Sequence, residues 1–207
     1  EEERFRRIKH WAGFPSEAIR FCLREAGITL DQVDHIAIGR DPKAKLFKKV
    51  VFAAAHPSIG MRAIRNRLVN ARQVSSLAKE FANHFSFVDE AALERKIHYV
   101  EHHRAHLASA FFASPFDDAA LLSIDGSGDF TTTMLGVGHG ARIDVLDSID
   151  FPHSIGVFYS AFTQYLGFPH YGDEYKVMGL APYGKPLYVD KLKEIVHLSD
   201  DGLFKLD

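Results

Sequence analysis

The spacing of apolar side chains changes several times along the chain, and each change marks an element. In "FPSEAIRFCLREAGI", Ala18, Ile19, Cys22, Leu23 and Ala26 recur at intervals of three and four. Ser16 or Pro15 stands at the start and Gly27 at the end, so an amphipathic helix is predicted. "LDQVDHIAIG" reads as a turn running into a buried strand at 35–38. Between 43 and 95, Lys43, Lys45, Lys48, Lys49, Arg62, Arg65, Arg67 and Arg72 are scattered among apolar positions at helical intervals. That pattern predicts two or three helices with a solvated basic face.

"KIHYV" is strand-like, and the histidine-rich "VEHHRAHLASAFF" then shifts to helical spacing over 102–113 before the proline-marked turn "SPFDD". "AALLSID" is a continuous apolar run of strand length ending in Asp125, and "GSGD" reads as a tight turn. The β-branched runs "FTTTMLGVGHG" and "ARIDVLDSIDF" should pair with it as a meander. "HSIGVFYSAFTQYLGF" returns to helical spacing with Ile155, Phe158, Tyr159, Phe162 and Leu166 on one side, and Phe158, Tyr159 and Phe162 are expected in the core. The Gly-, Pro- and Tyr-rich "YGDEYKVMGLAPYGKP" follows, its Tyr171, Tyr175 and Tyr183 expected as packing aromatics, and "YVDKLKEIVHL" reads as a last short helix. Alternation of helices and strands indicates an α/β chain. The expected division is 1–113, a first α/β subdomain carrying the basic helical segment and helix 102–113, and 114–207, the start of a second.

Composition changes this picture little. A hydrophobic content of 46% is ample for a core, and 25 Lys plus Arg against 27 Asp plus Glu leave a net charge of -2, so no global field points to nucleic acid or an anionic membrane. A single cysteine, Cys22, favours a reducing compartment, so a cytoplasmic location is expected. The abrupt "EEERFRRIKH" and the closing "LSDDGLFKLD" read as the edges of a piece of a longer chain.

The chemistry lies in the histidines. On a helix, positions i and i+4 share a face with Cβ atoms about 5–6 Å apart, which suits His102 and His106 to one ion at about 2.1 Å from each nitrogen. His103 points about 100 degrees away and is expected as a neighbour of the site or a surface residue whose replacement matters little. Such a pair also arises on solvated faces. Asp125 adds weight, because a carboxylate at the end of an apolar strand is costly to bury unless it is paired or bound to a cation. Two imidazoles and one carboxylate form the facial donor set used for iron(II), and zinc or manganese take the same donors. Gly126, Ser127 and Gly128 follow at once. Their amides could approach a phosphate, although the segment also suits an ordinary hairpin. Glu174 and Lys176 are further candidates for a nucleotide site, and a surface ion pair accounts for them equally.

"EEERFRRIKH", "HHRAHLASAFFASPFDDAALLSIDGSGDFTTTMLGVG", "FPHSIGVFYSAFTQYLGF" and "GDEYKVMGLAPYGKP", in this order, resemble the N-terminal domain of the nodulation-protein and antibiotic-type O-carbamoyltransferases. The likeness covers roughly three quarters of the chain, "EYKVMGLAPYG" being its most discriminating part, and leaves out about 43–80. It implies part of a domain of the actin, sugar-kinase and chaperone-type ATPase superfamily, with an RNase H-like mixed sheet flanked by helices. The reaction it implies joins carbamoyl phosphate and ATP into a carbamoyl-adenylate, then passes the carbamoyl group to a hydroxyl of a sugar or antibiotic-like acceptor. His102, His106 and Asp125 match three ligands of the family's iron, whose fourth ligand, a later aspartate, has no counterpart here. Lys9 matches a lysine at the carbamoyl phosphate site, where a cation would neutralise phosphate oxygens. The family's first strand with its histidine-containing loop would precede Glu1, and its C-terminal domain would complete the site, so the isolated piece is expected to be inactive. Transfer of threonylcarbamoyl to tRNA shares the histidine pair and the fold, but "EYKVMGLAPYG" and the opening segment set this chain apart from it. A non-catalytic metal- or nucleotide-binding module is the remaining alternative.

Overall fold

The computed structural model describes residues 1–9, 11–57, 77–86 and 89–207. Arg62, Arg65, Arg67 and Arg72 of the basic segment lie outside them. The chain is α/β, with helices beside small parallel and antiparallel sheets. It forms two compact units, Glu1–Ile38 with Val50–Tyr99, and Gly39–Lys49 with Val100–Asp207. Helix 102–113, expected with the first half, therefore belongs with the second unit, whose strands it packs on. Among the described residues no helix is long and apolar enough to cross a membrane.

The first unit contains α1 (Glu2–Arg6), α2 (Ser16–Ala26), a 3-10 turn (Leu30–Gln32) and β1 (Ile36–Ile38). After α3 (Leu46–Ala55), which begins within the second unit, come α4 (Leu77–His84), α5 (Glu90–Lys96) and β2 (Ile97–Tyr99). β1 and β2 pair in parallel, Ile36 opposite Ile97. Leu30, Ala78, Phe81, Leu93 and Ile97 form the core, with Phe14, Ile19 and Leu23 packed against it. The ring of Phe14 meets Phe81 edge-on at 4.9 Å. Cys22 and Ala26, placed by their spacing on the stripe of Ile19 and Leu23, are exposed. The buried stripe of α2 is narrower than its pattern.

Neither Ser16 nor Pro15 caps α2 with a side chain. The cap comes from Glu2, only 5% exposed, whose carboxylate accepts from Ala18 N at 2.9 Å and Glu17 N at 3.3 Å. Arg6 binds the same carboxylate at 2.7 Å and donates to Ser16 Oγ at 3.0 Å. An acid thus meets the unpaired N–H groups and positive end of a helix dipole from another helix.

In the second unit, β3 (Asp118–Gly128), β4 (Thr131–His139) and β5 (Arg142–Asp150) form the expected meander. The helix α6 (His102–Phe111) packs on it through Leu107 and Phe111, which meet Leu121 and Met134. Gly138 makes the approach possible: a Cβ there would lie 2.6 Å from the Phe111 ring. "GSGD" is not the turn. β3 continues to Gly128, and Asp129 and Phe130, with φ of 52° and 86°, reverse the chain. Ile124 pairs with Thr133 and Gly128 with Thr131, so Asp125, Gly126 and Ser127 bulge opposite Thr132 alone. Lysines expected on a solvated helix face instead anchor residues 39–49: Lys45 binds Ser148 Oγ at 2.8 Å and the carboxylate of Asp150, which Lys48 meets at 2.6 Å.

α7 (Ile155–Tyr165), α8 (Glu174–Leu180), a 3-10 turn (Ala181–Tyr183) and α9 (Val189–Lys193) follow. Phe158 and Tyr159 are only half-buried, and Phe162 (40%) and Leu166 (54%) are exposed, against the expectation of a core row. Tyr171, Tyr175 and Tyr183, expected as packing aromatics, are exposed as well. The helical pattern identified an apolar stripe, but the described residues provide little surface to cover it. The last predicted helix stops at Lys193; Val196–Leu198 becomes β6 and pairs antiparallel with β7 (Phe204–Leu206) across a turn in which Gly202 takes φ 81°.

Burial alone would raise the Glu2 carboxyl, but the Ala18 N–H, Arg6 and the Glu17 N–H outweigh it and hold it below the ordinary glutamate value. Because the folded value is the lower one, the stability from Glu2 is present above the unfolded glutamate value, about 4.3, and is lost as pH falls through the folded value. Glu2→Gln is therefore expected to lower the urea midpoint at neutral pH, with the difference from the parent shrinking in acid. A difference independent of pH would show that the charge of Glu2 is not the stabilising element.

Candidate metal centre

α6 starts where its backbone is held from outside. Glu101 caps it by accepting from Arg104 N at 2.8 Å, and Asp129 Oδ2 accepts from His102 N at 3.0 Å. Successive turns then project His102 and His106 toward the bulged end of β3. His102 Nε2 lies 2.9 Å from Asp125 Oδ2, His106 Nε2 lies 3.4 Å from the same oxygen, and the two Nε2 atoms are 3.0 Å apart. Three donors bonded to one ion at about 2.1 Å would be separated by about 3.0 Å for right-angled bonds and about 3.4 Å for tetrahedral ones. The three side chains expected as ligands are therefore brought together at the spacing an ion requires, and they are the one such group of three among the described residues.

The donors are partly open to solvent, their side chains 31% (His102), 49% (His106) and 43% (Asp125) exposed. A ligand could thus reach an ion held there. His102 Nδ1 faces Gly39 O at 3.2 Å, so Nδ1–H donates to the carbonyl and Nε2 is the ring nitrogen turned to the site. Burial works to lower the His102 value, but the Asp125 carboxylate and the Gly39 carbonyl outweigh it and raise it. For Asp125, burial works to raise the carboxyl, and hydrogen bonds from His102, Gly126 N–H and His106 hold it below the ordinary aspartate value.

The glycines of the bulge have separate roles. A Cβ on Gly128 would fall 1.9 Å from His102 Cδ2, so the imidazole occupies the space that this glycine leaves. Gly126 faces open space, and its N–H donates to Asp125 Oδ1 at 2.6 Å. Ser127 is exposed. Ser154, fully buried at the start of α7, donates to Gly126 O at 2.6 Å and accepts from Val157 N at 3.0 Å. A Cβ on Gly156 would lie 2.6 Å from the Asp125 carbonyl, so the end of α7 rests directly on the ligand's peptide.

His103 is neither at the surface nor beside the donors' open side. It is fully buried, with Nδ1 2.8 Å from Ser123 Oγ and Nε2 3.0 Å from Thr131 O, and burial holds its value below that of an ordinary histidine. As a neutral ring it donates from Nε2 to the Thr131 carbonyl and accepts the Ser123 hydroxyl. It fastens α6 to β3 and β4. The expectation that His103 matters little reverses, because His103 shares with Leu107 and Phe111 the face of α6 that packs on the sheet, beside the face of His102 and His106.

The remaining candidates lie elsewhere. Lys9 is exposed in the first unit and lines a shallow hollow of about 430 Å³ with Glu1, Glu3, Arg7 and Ile8. Glu174 and Lys176 do not pair with each other: Glu174 Oε1 accepts from Ser160 Oγ at 2.5 Å, and Lys176 Nζ binds Asp173 Oδ1 at 2.7 Å. The sequence reading overlooked Asp173, Asp129, Ser154 and Gly39. Asp129 alone carried a signal, being an aspartate after glycine at a chain reversal, where left-handed backbone is tolerated.

The sequence profile of the carbamoyltransferase N-terminus matches residues 1–207. The chain belongs to this carbamoyltransferase family. Nodulation protein NolNO of Sinorhizobium fredii is 35% identical over 209 residues, covering 100% of this chain and 29% of that protein. The uncharacterized protein sll1178 of Synechocystis is 41% identical over 212 residues, 100% of this chain and 34% of that one. Nodulation protein NolO of Bradyrhizobium diazoefficiens is 41% identical over 108 residues, covering 52% of this chain and 20% of its own. The chain thus spans about one third or less of these relatives. The carbamoyltransferase profile runs through 43–80 as well, so the basic segment left out of the sequence resemblance lies within the family match.

His103→Ala removes a buried ring with two hydrogen bonds and is expected to cost about 2–4 kcal/mol of stability. Chemical denaturation of the metal-free protein measures it. A loss under about 0.5 kcal/mol, the scale of a surface substitution, would show that the ring does not fasten α6.

Proposed function

We propose that this chain is the metal- and nucleotide-binding part of an ATP-dependent O-carbamoyltransferase, in which carbamoyl phosphate and ATP give a carbamoyl-adenylate whose carbamoyl group passes to a hydroxyl of a sugar or antibiotic-like acceptor. The observation that carries this reading is the convergence of His102, His106 and Asp125 in a carbamoyltransferase-family chain. These residues would hold a divalent ion, iron(II) by the donor set and zinc or manganese by the same atoms. When bound, the ion would supply Lewis acidity and neutralise phosphate oxygens.

The rest of the site is read from the chain's own groups. The bulge 126–128 would present backbone toward the phosphates of ATP, with Gly126 and Ser127 as its open positions and Gly128 as the seat of His102. Lys9 would neutralise the phosphate of carbamoyl phosphate. Glu174 and Lys176 would act by holding α8 to α7 and to the Asp173 corner, a role supported by the bonds they already make. The α/β layers accord with a partial domain of the actin and sugar-kinase superfamily. A further domain of a longer chain would cover the exposed Met178, Tyr183, Leu187 and Tyr188 and complete the acceptor site. The single, exposed Cys22 suits a reducing cytoplasm.

Metal analysis after anaerobic purification tests the first step: about one ion per chain is expected, with loss of at least tenfold in affinity for His106→Ala as three protein ligands drop to two. Unchanged metal content in that variant would remove the site. For the second step, the full-length protein incubated with ATP and carbamoyl phosphate should yield carbamoyl-adenylate by mass spectrometry. Metal retention without adenylate would leave a metal-binding module and defeat the catalytic reading.

A further inference from the structure

Residues 39–49 lie across the second unit as a strap pinned at three places. Gly39 O accepts from His102 Nδ1 (3.2 Å), Asp41 N donates to Asp129 Oδ2 (2.6 Å), and Lys45 and Lys48 bind the carboxylate of Asp150. The middle pin is unusual in what it joins. The same Asp129 oxygen that takes Asp41 N also takes His102 N at 3.0 Å, the N–H of the residue whose ring the strap contacts. Both partners of the His102 to Gly39 bond are thus held by one carboxylate oxygen: the histidine through its own backbone, and the carbonyl through a residue two positions on.

We propose that Asp129 is a positioning residue for His102, fixing the strap carbonyl against Nδ1 so that the ring is held with Nε2 aimed at Asp125 and His106. The left-handed backbone of Asp129, φ 52°, points its carboxylate back across the β3–β4 reversal to reach both amides. Without that acceptor two N–H groups lose their partner, the strap is released between Gly39 and Lys45, and the imidazole is free to rotate. Partners of this kind typically alter metal affinity by about 10–100-fold. The value of the device rests on the metal reading above, but its geometry does not.

Proton NMR of the metal-free chain reports the seating of the ring directly, as NOEs between the His102 ring protons, assigned with His102→Ala, and residues 39–41 of the strap. The parent should show them, Asp129→Ala should lose them, and Asp129→Asn should retain them, since an amide oxygen can accept the same two bonds. Cobalt(II) titration supplies the second readout: Asp129→Ala should weaken binding about 10–100-fold, and should add nothing further in a His102→Ala background, as expected if it acts through that ring. Unchanged ring–strap NOEs in Asp129→Ala, or an equal loss of affinity in both backgrounds, overturn the proposal. A parent whose ring is seated on the strap but which takes up no cobalt(II) supports the positioning role and overturns the metal reading instead.

Discussion

The close seating of α6 on the meander is the constraint from which the rest of this unit follows. A helix can approach a strand this nearly only where the strand lacks side chains, and β4 and the end of β3 provide that at Gly138 and Gly128. Gly138 receives the Phe111 ring and Gly128 receives the His102 imidazole, so packing and chemistry are set at the two ends of one interface. His103 lies between them, wholly buried and bonded to both strands. A ring with two hydrogen bonds directs the rotation of the helix about its axis more strictly than an aliphatic side chain, which has no preferred partner direction. The donor pair faces Asp125 because the intervening residue faces the sheet.

What the sequence discloses and what it hides separate along physical lines. The periodicity of α2, α6 and the β3–β4–β5 meander follows from side-chain type, and those elements are legible. His102, His106 and Asp125 are legible for the same reason: helix geometry fixes one pair, and the end of an apolar strand fixes the third. The turn is misplaced because "GSGD" suits a reversal at any of its residues, and only the bulge opposite Thr132 decides that Asp129 and Phe130 make it. Glu2 and Asp129 act as acceptors for backbone N–H groups distant in sequence, and Gly39 acts through its carbonyl. Main-chain chemistry leaves no mark in residue type. The aromatics of α7 and the following segment show the opposite failure, because their pattern tells that a surface is apolar without telling what covers it.

Three polar groups meeting at 2.9, 3.0 and 3.4 Å around one point cannot all be acceptors in the absence of an ion. Protons must occupy the space, which accords with a raised His102 and a lowered Asp125. Entry of a cation would therefore be an exchange against protons, and the site's occupancy would depend on acidity as well as on metal supply. The Gly39 carbonyl favours that exchange, because it keeps one ring nitrogen protonated and reserves the other for bonding.

Helix α7 carries no donor to the site, yet its first turn touches the peptide of Asp125 with no side chain between them, and Ser154 bonds the next carbonyl. Main chain stacked on main chain has no rotamer with which to absorb a displacement. A twist or slide of α7, whatever its origin along the helix, would be passed to the Asp125 peptide, making that helix a stiff lever on the backbone that carries one member of the donor triad.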